Sequence, residues 1–172
     1  MEFGRESGIL LHPTSLPSKF GIGELGSEAY GFADFLARSR QKLWQILPLG
    51  PVGYGESPYQ CFSAFAGNTM LISIERLIKD KLLLQEDIGA LPDFDAGLVE
   101  FEKVRTFKSG LFRKAFNRFE AAGASQDYNR FLRENNYWLE EFSFFMALKE
   151  YFGGAAWNLW DKEIAFRDSK AM

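Results

Sequence analysis

Two short apolar runs with one amphipathic stretch between them constrain this chain more than any other feature. Gly8-Ile9-Leu10-Leu11-His12 is hydrophobic on both faces, too short for a helix and closed by Pro13, which predicts a buried strand. Leu43-Trp44-Gln45-Ile46-Leu47-Pro48-Leu49 predicts a second. Between them, Ala29, Phe32, Ala33 and Leu36 repeat at the spacing of one helix face. Ser27 reads as the N-cap of that helix, with Glu28 suited to its dipole and the basic residues at 38–42 marking its end. A helix joining two apolar strands is a βαβ crossover, so the strands should be parallel neighbours.

In such folds ligands meet the loops at the carboxyl ends of the strands. Both glycine- and proline-rich loops of this chain leave from those ends, at residues 13–26 and 48–68. In the second, Gly50, Pro51, Gly53, Gly55, Pro58 and Gly67 forbid a continuous helix or strand, yet Tyr54, Tyr59, Phe62 and Phe65 are large aromatics. A loop that only connects elements tends to be short and polar. This one either packs down as a compact lid or offers ring faces to a ligand, and the two can coexist.

Beyond residue 68 the pattern becomes helical. Leu71, Ile72, Leu77, Ile78 and residues 82–84 read as a short strand-like entry and a helix capped by Ser73, and residues 85–91 as a further helical turn. Leu98, Phe101, Val104, Lys108, Leu111, Phe112, Ala115, Phe116 and Phe119 mark a long amphipathic helix broken by Gly123. Ser125 should cap another, with Tyr128, Phe131 and Leu132 inward, and the helical pattern continues over 137–152 to Gly153-Gly154. Most of the 18 phenylalanines lie past residue 90, which predicts a phenylalanine-rich helical core. Trp157 and Trp160 fall in what reads as a loose polar tail.

Composition narrows the function classes. With 172 residues, 47% of them apolar, the chain can build a real core. Its net charge of −3 and lack of a basic block argue against nucleic acid as a partner. No apolar run approaches the ~20 residues of a membrane helix, and the first residues contain no apolar signal region. Cys61 is the lone cysteine and His12 the lone histidine, which implies a reducing compartment and leaves a zinc shell unfilled. Cys61 reads as a small packed side chain rather than a nucleophile.

Two motifs carry a family resemblance. G-I-L-L-H-P-T-S-L-P, followed by G-I-G-E-L-G, resembles the opening of the amylomaltases, the 4-α-glucanotransferases of glycoside hydrolase family 77. L-P-L-G-P-V-G-Y-G-E-S-P-Y-Q-C-F-S-A-F-A-G-N resembles that family's first long active-site loop. The later part matches more loosely, through F-M-A-L-K-E-Y-F-G-G, W-N-L-W and Arg167-Asp168. The resemblance implies an α/β fold: the first two strands of a (β/α)8 TIM barrel, then a mostly helical insertion subdomain. On this division residues 1–70 hold the first strand-helix-strand unit with the active-site loop at 48–68. Residues 71–172 form the insertion, whose C-terminal end is expected to be truncated.

The implied reaction moves α-1,4-glucan segments between maltooligosaccharides through a covalent glycosyl-enzyme intermediate, in the cytoplasm, with no organic cofactor or metal. It needs two carboxyl groups ~5 Å apart across the scissile bond. By the resemblance these acids lie on later barrel strands, outside residues 1–172, and the chain alone should be inactive. Glu24 and Glu56, the loop carboxylates, read as surface charge or local caps, and Asp34 as a solvated helical residue. What the resemblance carries over is substrate contact. Tyr59 corresponds to a tyrosine packing on a sugar beside the cleavage point, Ser57 to a polar neighbour in the same cleft, and Tyr54 to a position of a second glucan groove. Departures from the family pattern are Glu56 for a usual Asp, Cys61 for a common Ser and Thr69-Met70 for a usual Pro-Tyr. An alternative is a non-catalytic α-glucan-binding module.

Overall fold

The computed structural model describes residues 4–168, which fall into two compact units divided between Ala124 and Ser125. In the first, β1 (Gly8–Leu10) and β2 (Leu43–Gln45) pair in parallel, with Ile9 opposite Trp44. Leu11 N–H donates to the Gln45 carbonyl at 3.0 Å and extends the ladder past the named strands. Helix α1 (Ser27–Arg38) makes the crossover between them. The expected strand–helix–strand unit is therefore present, with strands shorter than the apolar runs suggest.

The strands are not buried, contrary to the expectation drawn from their apolar composition. Ile9 is 41% and Leu10 58% exposed, and Leu43 on β2 is 53% exposed. The physical reason is that a parallel pair needs layers on both faces, and within this unit α1 covers too little of it. The helix uses Ala29 and Leu36 as its buried positions, while Ala33 and Phe35 face solvent.

Ser27 is not the N-cap of α1. Gly26 holds that position, and the Ser27 hydroxyl is drawn instead to carboxylates, Glu75 at 2.6 Å and Glu28 at 2.9 Å. The two other expected caps form. Ser73 Oγ accepts from Arg76 N–H at the start of α2 (Ile74–Lys79), and Ser125 Oγ accepts from Tyr128 N–H at the start of α4 (Gln126–Tyr151).

The core of the first unit lies between the 20–26 loop, α2, the 83–88 turn and α3 (Phe101–Ala122). Phe20, Ile74, Leu83, Ile88, Leu111 and Ala115 form one buried cluster, and Ile22, Met70 and Val104 a second. The core is thus mainly aliphatic, because Phe94, Phe107 and Phe112 pack against it only at partial burial. Gly23 is required where the 13–23 loop folds on itself: a Cβ there would lie 1.9 Å from the Pro13 carbonyl oxygen.

In the second unit the segments read separately over 125–152 form one helix, α4, and no residue along it is fully buried. Tyr128, Phe131 and Leu132 are 37%, 45% and 36% exposed, so the inward placement expected for them does not hold within this unit. Its one fully buried residue among those described is Trp160. The tail that reads as loose instead folds back: Trp160 stacks on Phe152 at 5.2 Å and 13°, lies 5.7 Å from Phe145, and donates from Nε1 to the Ala155 carbonyl at 3.1 Å. A short helix, α5 (Lys162–Ala165), follows.

Candidate functional site

The aromatic loop follows the carboxyl end of β2 and is closed at its neck. Asn68 N–H donates to the Leu49 carbonyl at 2.7 Å, and Asn68 Oδ1 accepts from Met70 N–H. Inside the neck, Val52 and Cys61 form an antiparallel bridge, flanked by Gly53 N–H to Gln60 O at 3.1 Å and Phe62 N–H to Pro51 O at 3.0 Å. Cys61 Sγ donates to the Pro58 carbonyl at 2.9 Å, the packed role expected of it. The result is a compact loop with joined ends, one of the two forms the composition left open.

Its tip is a tight turn over residues 54–56. Gly55 (φ +74°) and Glu56 (φ +55°) are both left-handed, which glycine tolerates and glutamate resists. Ser57 follows in extended conformation, and its Oγ accepts from Tyr59 N–H at 3.3 Å. Ser57 and Tyr59 are therefore coupled through one hydrogen bond. Tyr59 is 71% and Phe65 61% exposed, so this compact loop also leaves aromatic residues open to solvent. The Tyr54 backbone belongs to the turn, while its side chain lies outside the described residues.

The two loop carboxylates are not solvated surface charges. Glu24 is 2% exposed; its Oε1 lies 2.7 Å from Lys108 Nζ and its Oε2 accepts from Ile74 N–H at 3.0 Å, so it caps α2 from 50 residues away. Burial pushes the Glu24 carboxyl above its ordinary range, against the pull of Lys108, and pushes the Lys108 ammonium below its own. Lys108 also donates to the Met70 and Ile72 carbonyls at 2.6 and 2.9 Å, so its three protons meet three acceptors. Glu56 pairs with Arg105 of α3, and its Oε2 is buried without a partner. Asp34 is exposed on α1, as expected. Each loop carboxylate is thus committed to a cation.

His12, two residues past β1, has a buried Nδ1 without a partner, and burial holds its imidazole below the ordinary value. Beyond it, residues 14–19 and residues 95–99 with Phe101 line an open groove of ≈ 790 Å³. Among the described residues no group of three or more His, Cys, Asp or Glu is gathered for a metal, and no helix is long and apolar enough to cross a membrane. Arg105 carries no sequence signal. Lys108 does, since a lysine on the apolar face of α3 with Val104, Leu111 and Ala115 needs a buried counter-charge.

The 4-alpha-glucanotransferase family model matches residues 11–172. Over 171 residues the chain is 45% identical to a 4-alpha-glucanotransferase of Synechocystis sp., covering 98% of this chain and 34% of the relative. It is 42% identical to the Thermus thermophilus 4-alpha-glucanotransferase, covering 100% of this chain and 34% of that protein. Among solved structures, an amylomaltase from Streptococcus agalactiae, in complex with acarbose, superimposes with a TM-score of 0.88 at 40% identity, covering 98% of this chain and 34% of the other. The chain therefore spans about a third of the length of the relatives it matches. Matched over nearly all of its own length, it belongs to the 4-alpha-glucanotransferase family, glycoside hydrolase family 77.

Proposed function

We propose that this chain is the N-terminal third of a cytoplasmic 4-α-glucanotransferase and supplies one wall of its sugar cleft. Residues 1–70 carry the first strand-helix-strand unit of a (β/α)8 barrel with the sugar-facing loop, and residues 71–172 the helical insertion. Tyr59 lays its ring on the apolar C–H face of a pyranose, Ser57 hydrogen-bonds a rim hydroxyl, and Tyr54 serves a second glucan groove. The observation that carries this reading is the 71% exposure of Tyr59 on a loop whose backbone is otherwise tied down. An exposed aromatic on a fixed frame loses little entropy on binding.

The donor and acceptor are α-1,4-glucans. The reaction breaks one glycosidic bond, holds the glycosyl unit on a carboxylate and passes it to a 4-hydroxyl, and the two acids it needs lie elsewhere. The engagement of Glu24 by Lys108 and of Glu56 by Arg105 supports that division of labour. The scheme calls for no organic cofactor or metal.

The test is a graft in which this chain replaces the matching third of the Synechocystis relative, assayed on maltotriose. The graft should disproportionate it, and Tyr59→Ala should lower kcat/KM about tenfold, equivalent to about 1.4 kcal/mol of lost contact. A Tyr59→Ala graft as active as its parent contradicts the sugar-contact role.

A further inference from the structure

The motif of the aromatic loop leaves unexplained how a strained turn keeps its shape. Residues 55 and 56 are consecutive left-handed positions immediately before Ser57, and the second is a glutamate. Local sequence does not favour that conformation, so tertiary contacts must hold it. The contact present is an ion pair from α3: the Arg105 guanidinium donates to Glu56 Oε1 across 49 residues of sequence. The other carboxylate oxygen of Glu56 is buried without a partner. Removing the cation would leave this carboxylate desolvated and unpaired, and the turn would have to open to rehydrate it. One turn further along α3, Lys108 binds the Met70 and Ile72 carbonyls, where the chain returns from the loop. A single helix thus grips the loop at its tip and just beyond its neck.

We propose that Arg105 is a positioning residue for the sugar-facing loop, holding the 55–56 turn through Glu56 and thereby setting Ser57 and Tyr59. This deepens the reading of Tyr59 and Ser57 as sugar contacts and rests on it. It makes the helical part of the chain a determinant of glucan affinity, although none of its residues is assigned a sugar contact. Arg105 also pairs with Glu102 on its own helix, but Glu102 is 87% exposed and stands three residues away, so it supplies an internal control.

The experiment is amide hydrogen exchange on the intact 172-residue chain without sugar, followed by kinetics of the graft described above. Arg105→Leu should speed exchange over residues 53–62 by about tenfold or more while leaving 104–112 protected. Arg105→Lys should restore most of the protection, and Glu102→Gln should change nothing. In the graft, Arg105→Leu should raise KM for maltotriose with a smaller change in kcat, again with rescue by lysine. Unchanged exchange at 53–62 in Arg105→Leu overturns the proposal, as does faster exchange with no change in KM in a graft where Tyr59→Ala does raise it. If Tyr59→Ala leaves kcat/KM unchanged, the sugar-contact reading falls by itself, because exchange reports the hold of Arg105 with no sugar present.

Discussion

At Lys108 a charge sits where a helix face should be apolar, and its surroundings explain how it is tolerated. Its side chain is fully buried, yet its ammonium meets one carboxylate oxygen and two backbone carbonyls. Breaking such a pair from one side costs more than replacing both members, because the survivor remains buried and unpaired. Lys108→Met should therefore destabilise the chain by about 3–5 kcal/mol in urea unfolding, and Glu24→Gln with Lys108→Met should recover a large part of that loss. A single variant within about 0.5 kcal/mol of the parent would show the pair to be incidental. The sequence displays half of this arrangement. A lysine at the Val104, Leu111 and Ala115 stripe announces a buried cation, but Glu24, 84 residues away in a glycine-rich loop, has no local sign of being its partner.

Among the elements, α3 organises the first unit through charged as well as apolar contacts. Its Arg118 reaches Asp87 at 2.5 Å, and Asp87 in turn accepts from Leu84 N–H at 2.7 Å, closing the 3-10 turn Gln85–Ile88. The Arg118 hydrogen bond and then the Leu84 amide hold the Asp87 carboxyl down at about 2. A carboxyl whose folded value lies below its ordinary one contributes stability that is present above the ordinary value. That contribution is lost as pH falls from about 4 toward 2. Thermal melts of the parent should thus fall more steeply between pH 4 and 2 than those of Asp87→Asn, and parallel curves would contradict this assignment. Element types were legible because periodicity and caps are local: Ser73 and Ser125 act as read. Ser27 departs because its hydroxyl is claimed by Glu75, 48 residues on. The fold of the tail around Trp160 escaped for the same reason, since its partners Phe145 and Phe152 lie within α4 and at its C-cap.

For the whole molecule, the parallel βαβ unit and the long loop after its second strand followed from the order of apolar runs and breakers. The exposure of the strands did not, because an apolar run reports what a strand can bury and not what is there to cover it. The loop motif pointed to Tyr59, Ser57 and Tyr54 through resemblance, while the grip of α3 on that loop is long-range and became visible only in three dimensions. On the proposed reading labour is divided: rings held by this chain would grip the glucan, and the acids that break the bond would belong to other parts of a longer enzyme. The direct test is to incubate the 172-residue chain alone with maltotriose and separate the products. The account predicts maltotriose recovered unchanged; glucose or longer maltooligosaccharides formed by the chain itself would contradict it.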